Sequence, residues 1–216
     1  MDEFIKILFI SLILVSLLFG VLFIASKIMQ GQRKKLVRSK SLSPRAHLHE
    51  YASRCGFSKN LLPYAYYPSY GRSGKLSGYV PCDEIAICSD GVLVMTVFDR
   101  AGTVDNSAPD VWVIEYDGGY KEVRSPLIAA ERSKRAVKSI LDKHGLYDVD
   151  VYSVVVLTNK STVLRVDIDD ALPAADLAEA LDALGERMLI GVSGQFEIRK
   201  LLKDLSMTPD EIRKKM

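Results

Sequence analysis

The chain has 216 residues, 48% of them hydrophobic and 26% charged; that suits one globular domain plus one membrane segment and excludes a large multidomain enzyme. Its 14 Gly and 8 Pro follow no period, which removes collagen-like and low-complexity readings. The formal charge is +2, but residues 1–30 balance and residues 31–45 supply six positive charges, so residues 46–216 carry −4. A mildly acidic domain lacks the usual footprint of a nucleic-acid binder, although local basic patches remain compatible with it. Three cysteines (Cys55, Cys82, Cys88) and three scattered histidines (His47, His49, His144) form neither a disulfide framework nor a structural zinc site.

From Ile7 to Ser26 twenty residues carry no charge, bracketed by Lys6 and Lys27. As a helix this stretch is about 30 Å long, the thickness of a bilayer core, and it exceeds the apolar region of a cleaved signal peptide. Residues 31–49 hold Arg33, Lys34, Lys35, Arg38, Lys40 and Arg45 and no acid. By the positive-inside rule the expectation is a single-pass protein of the cell (inner) membrane, amino terminus outside and bulk in the cytoplasm. Lipid through residues 7–26 is the first predicted partner. Ser16 and Gly20 form a small-xxx-small pair of the kind that permits helix association.

Residues 31–45 read as a polar linker ending at Ser43-Pro44, and a short helix is expected from His47 to Cys55. The Tyr-, Gly- and Pro-rich run from Asn60 to Tyr79 reads as an extended segment leading into a loop. Strands are expected at Asp83–Cys88 and Val92–Phe98, joined by the Ser89-Asp90-Gly91 turn, and at Val111–Tyr116. Ser125 and Pro126 predict the cap and first turn of a helix that runs to Lys143 or His144. Asp150–Leu157 reads as a strand covered on both sides, with a shorter one at Val163–Ile168. Helices are predicted at 174–184 and 194–205, and Thr208-Pro209-Asp210-Glu211 spells a capping box. This order describes a mixed α/β domain with a central sheet. The organisation predicted is an anchor at 1–30, a linker at 31–45, a domain at 46–205 and a helical tail at 206–216.

Glu50, the Cys82-Asp83-Glu84-Ile85 strand start, Gly91, Gly102, Trp112 and Ser125-Pro126 fall in the order and spacing of a known pattern. Over residues 46–170 the chain resembles the nuclease-related domain (NERD) family of the PD-(D/E)xK superfamily. The resemblance implies a restriction-endonuclease-like fold, a mixed sheet flanked by helices, and it implies an Asp on one strand facing Glu-x-Lys on the next. In that family pattern the carboxylates would hold a divalent ion that activates water, and the Lys would stabilise developing charge.

Here the Glu-x-Lys positions fall on Thr96 and Phe98, and a helix position where members tend to carry Gln falls on Ala129. Thr96 cannot supply an anionic ligand, and Phe98 puts a ring where the cation would be. No catalytic, cofactor-binding or metal-ligating residue is therefore assigned, and Glu50 and Asp83 stand as vestigial candidates. The expectation is a membrane-tethered interaction or scaffold module without nuclease chemistry or cofactor, partnered by other membrane or nucleic-acid-processing proteins. One alternative is a metal-dependent nuclease with relocated ligands such as Asp99 and Glu115. Another is a noncatalytic nucleic-acid binder using the basic linker and a platform of Tyr64, Tyr66, Tyr67 and Tyr70 with Arg72 and Lys75. His47-Leu48-His49-Glu50 would chelate a metal only if extended, because positions i and i+2 do not share a helix face. Asp167, Asp169 and Asp170 need no cation: they end a strand and begin a helix.

Overall fold

The structure, a computed structural model, describes residues 43–54, 60–183 and 189–215. The predicted span at 7–26 and nearly all of the basic linker lie outside these residues. Among the described residues no helix is long and apolar enough to cross a membrane.

Helix α1 (Pro44–Ala52) opens with Ser43, whose hydroxyl accepts from the Ala46 amide at 3.3 Å, and with Pro44 in its first turn. It buries Leu48 and Ala52. Strands β1 (Leu61–Tyr70) and β2 (Leu76–Ile87) then form a long antiparallel hairpin, in register from Leu61 opposite Ala86 to Ser69 opposite Gly78. The sequence reading took most of this run for an extended segment and loop, because its Tyr, Pro and Ser content carries turn signals. Pro68 is compatible with the strand because β1 lies at the sheet edge. The Tyr66 amide points outward to Met207, and Pro68, two residues on, shares that orientation and forfeits no bond to β2.

Strand β3 (Gly91–Phe98) pairs antiparallel with β2 and parallel with β7 (Asp150–Leu157), and β9 (Ala171–Pro173) completes a five-stranded mixed sheet in the order β1-β2-β3-β7-β9. A second sheet, β6-β5-β4-β8, is built from β4 (Gly102–Asp105), β5 (Val111–Tyr116), β6 (Gly119–Arg124) and β8 (Thr162–Leu164). A single central sheet was expected, and β4 and β6 were not foreseen. The parallel pair β3/β7 bends and continues as the parallel pair β4/β8, with the Thr158 amide donating to the Phe98 carbonyl at the bend. Gly102 makes the close approach possible: its φ is +121°, and a Cβ there would lie 2.3 Å from the Glu115 carbonyl oxygen.

Helix α2 (Pro126–Lys143) packs Val137, Ile140 and Leu141 on one face of the larger sheet, joined there by Ile198 and Leu202 of α4 (Val192–Leu205). On the other face Leu48 and Ala52 of α1 meet Leu177 and Leu181 of α3 (Leu177–Ala183), over Leu93, Met95 and Val156. The domain is thus a mixed α/β fold whose helices cover both faces of the larger sheet. A third cluster, Phe98, Val104, Trp112, Ile114 and Leu157, fills the junction of the two sheets. Ser125 precedes α2 as predicted but makes no side-chain cap bond; its amide donates to the Asp110 carbonyl instead. The capping box at Thr208 is complete and starts α5 (Pro209–Arg213).

Candidate functional site: a charged cleft at Asp83

Strand β2 pairs with β3 only from Glu84 to Ile87. At Asp83 the two strands part, and the Asp83 carboxylate replaces the missing ladder: Oδ2 accepts from the Val97 amide at 2.9 Å. Its other oxygen, Oδ1, receives Nε–H of Arg45 at 2.5 Å. Arg45 projects from the first turn of α1, and its guanidinium also lies over the Tyr64 ring, 3.7 Å from the centroid. The Asp83 side chain is 13% exposed, so the Arg45 charge acts where water screens it incompletely.

The space where the strands part is a cleft of about 580 Å³. Arg45, Asp83, Asp99, Arg100 and Arg124 bring charge to it, and Val97 and Val123 bring apolar surface. Asp99 is exposed and accepts from the Thr158 hydroxyl at 3.3 Å.

Glu84, next in the chain, faces the opposite way, is only 1% exposed, and meets Nδ1 of His49 at 2.8 Å. Burial pushes its carboxyl up to about 7, the His49 hydrogen bond and charge opposing that rise and the neighbouring Asp83 charge adding to it. Helix α1 is therefore tied to β2 through two adjacent carboxylates, by Arg45 and by His49.

Of the residues singled out from sequence, Asp83, Phe98 and Asp99 meet at the cleft and the others lie elsewhere. Glu50 is exposed and pairs with Arg54, four residues on and just past the end of α1. Thr96 and Phe98 are buried, 8% and 7% exposed, and Phe98 stacks edge-on against Trp112 with centroids 5.2 Å apart. Asp99 shares the cleft with Asp83, whereas Glu115 lies on the second sheet and is held by Arg165 at 2.6 Å. His47 and His49 lie on helical backbone, where their spacing points them apart. Among the described residues no three of His, Cys, Asp and Glu are grouped to hold a metal ion. Among the described residues the cleft carries two carboxylates, Asp83 and Asp99, and each oxygen of Asp83 already accepts a hydrogen bond from a protein donor.

Of the tyrosines proposed as a platform, Tyr67 is buried at 1% exposure and Tyr64 and Tyr66 pack edge-on at 5.7 Å. Sequence reasoning missed Arg45, Arg100 and Arg124 as members of this cleft, and the buried Glu84–His49 pair beside it. One signal was available: two consecutive acids open the apolar run DEIAIC, so one of them had to turn inward.

Residues 63–158 match the family model of the nuclease-related domain (NERD). No curated protein and no solved structure matches the chain.

Proposed function

We propose, from the match of residues 63–158 to the nuclease-related domain model, that the chain is a membrane-tethered, noncatalytic member of that family acting as an interaction module. The observation that carries this reading is the engagement of Asp83. A general-purpose metal centre needs carboxylate oxygens turned toward a common point, whereas Asp83 gives one oxygen to Arg45 and the other to the Val97 amide. Thr96 and Phe98, at the positions where the resemblance puts Glu-x-Lys, are buried, and Phe98 gives the cleft an apolar wall packed on Trp112. Losing one charge-stabilising donor typically costs about 3–4 kcal/mol of barrier, and here the second ligand is absent as well.

In this reading the restriction-endonuclease-like sheet serves as a rigid frame, and residues 7–26 hold it beside the inner face of the membrane, where it recruits membrane or nucleic-acid-processing proteins. The test is a cleavage assay of the purified full-length chain on single- and double-stranded DNA and RNA with Mg²⁺ or Mn²⁺. No cleavage above that of an Asp83→Ala preparation is expected. Metal-dependent cleavage that disappears on Asp83→Ala or Asp99→Ala overturns the proposal in favour of relocated ligands.

A further inference from the structure

Beyond Glu84 the arm of the β1–β2 hairpin leaves β3 and lies along α2, with the Ser133 hydroxyl donating to the Pro81 carbonyl and the Tyr70 amide donating to the Ser139 hydroxyl. The carboxyl-terminal segment docks on the outer edge of β1, where Tyr66 and Met207 exchange both backbone hydrogen bonds, at 2.8 and 2.9 Å. Between the arm and this segment runs a groove of about 570 Å³, and none of its lining residues is shared with the Asp83 cleft.

The groove joins two aromatic rings to several cations. Tyr70 and Tyr79 line it, along with Leu76, which is 51% exposed. The Lys143 ammonium lies 3.7 Å from the Tyr70 ring centroid, and that of Lys215 lies 5.7 Å from the Tyr79 centroid. Lys214 lines the same groove, and the turn just before Leu76 carries the exposed Arg72 and Lys75. None of these five cations is in an ion pair with a described residue. Two acids oppose them, Asp204 and Glu211, and Glu211 is committed to the Thr208 amide and hydroxyl at 2.7 and 2.9 Å. The overall charge of the domain conceals this patch, because the excess acid lies elsewhere.

We propose that this groove binds single-stranded nucleic acid, with a base stacked on Tyr79 and phosphates met by Lys143, Lys214 and Lys215. The pairing of planar rings with flanking cations is what an unpaired strand offers complements to: every base has a face for a ring, and every nucleotide has a phosphate for an ammonium. An acidic peptide would satisfy the lysines but leave the Tyr79 ring without a planar partner. A duplex would keep its bases inside the stack. The site is independent of whether the Asp83 cleft does chemistry, so its success or failure is separable from the reading of that cleft.

The test is fluorescence anisotropy of a labelled oligothymidine with the full-length protein in detergent micelles, without divalent ions and across a salt series. A duplex of equal length and a polyglutamate peptide serve as competitors. Binding that weakens with salt and resists both competitors is expected. Lys214→Gln with Lys215→Gln should flatten the log–log salt slope by about 1.4, roughly 0.7 for each phosphate left without its cation. Tyr79→Leu should weaken binding about tenfold at an unchanged slope. Circular dichroism of each variant establishes that it is folded. Absence of binding, or equal competition by duplex or peptide, overturns the proposal. So does binding undiminished in both variants, which assigns it to the basic segment at 31–45.

Discussion

Asp83 and Glu84 are neighbours in the chain with opposite electrostatic fates. The strand places them on opposite sides, one at the rim of a cleft beside Arg45 and the other 1% exposed beside His49. Burial holds the Glu84 carboxyl near 7 against an ordinary value of 4.5, so between those values the folded chain keeps a proton that the unfolded chain has released. The stability this supplies is complete below about 4.5 and is lost as the pH rises through about 7. Glu84→Gln removes that dependence while keeping the side chain's shape. The difference in thermal midpoint between variant and native protein should therefore move in favour of the variant from pH 5 to pH 8. Identical pH profiles would show that Glu84 is not the group responsible. Arg45→Ala leaves Asp83 without its counter-charge and uncovers Tyr64. Because Arg45 is itself 48% exposed, the expected loss is modest, about 1 kcal/mol, and a double-mutant cycle with Asp83→Asn in denaturant titrations should recover most of it as coupling.

At the level of elements, periodicity and turn chemistry located the parts of the chain that obey one rule at a time. The strand at Val111–Tyr116, the strand at Asp150–Leu157 and the helix at Pro126–Lys143 stand where their patterns put them. The hairpin arm was missed because Tyr, Pro, Gly and Ser signal turns locally, and only the outer-edge docking of Met207 and the packing on α2 make a strand of that run. Strands β4 and β6 are 4 and 6 residues long and offered too little alternation to be seen. Phe98 shows how the last residue of an element can hold two sheets together. It ends β3, packs on Trp112, and sits in the cluster that joins β3 and β7 to the second sheet. Phe98→Ala should cost about 3–5 kcal/mol, the usual penalty for removing a buried aromatic ring, read from the shift in denaturation midpoint. A loss below about 1 kcal/mol would mean that the junction is loosely packed and that Phe98 is not a core residue.

For the molecule as a whole, the membrane reading rests on the uncharged run at 7–26 and the basic residues that follow it. The expected behaviour is a chain that stays with the membrane fraction through alkaline and high-salt washes and that becomes soluble when residues 1–30 are deleted. Release of the intact chain by salt alone would reduce the anchor to an electrostatic attachment through residues 31–45 and set aside the single-pass topology. The amino-acid sequence by itself determined the mixed α/β class, the family resemblance and the uncharged residues at 96 and 98, because these depend on residue type and spacing along one chain. Only the tertiary structure decided that Arg45 reaches Asp83 across 38 residues, that Glu84 is the buried acid, and that Tyr70 and Tyr79 share a groove with lysines from α2 and the carboxyl terminus. Those outcomes turn on which distant side chains the fold brings within a few ångströms, and charge and burial act over that distance, not over sequence separation.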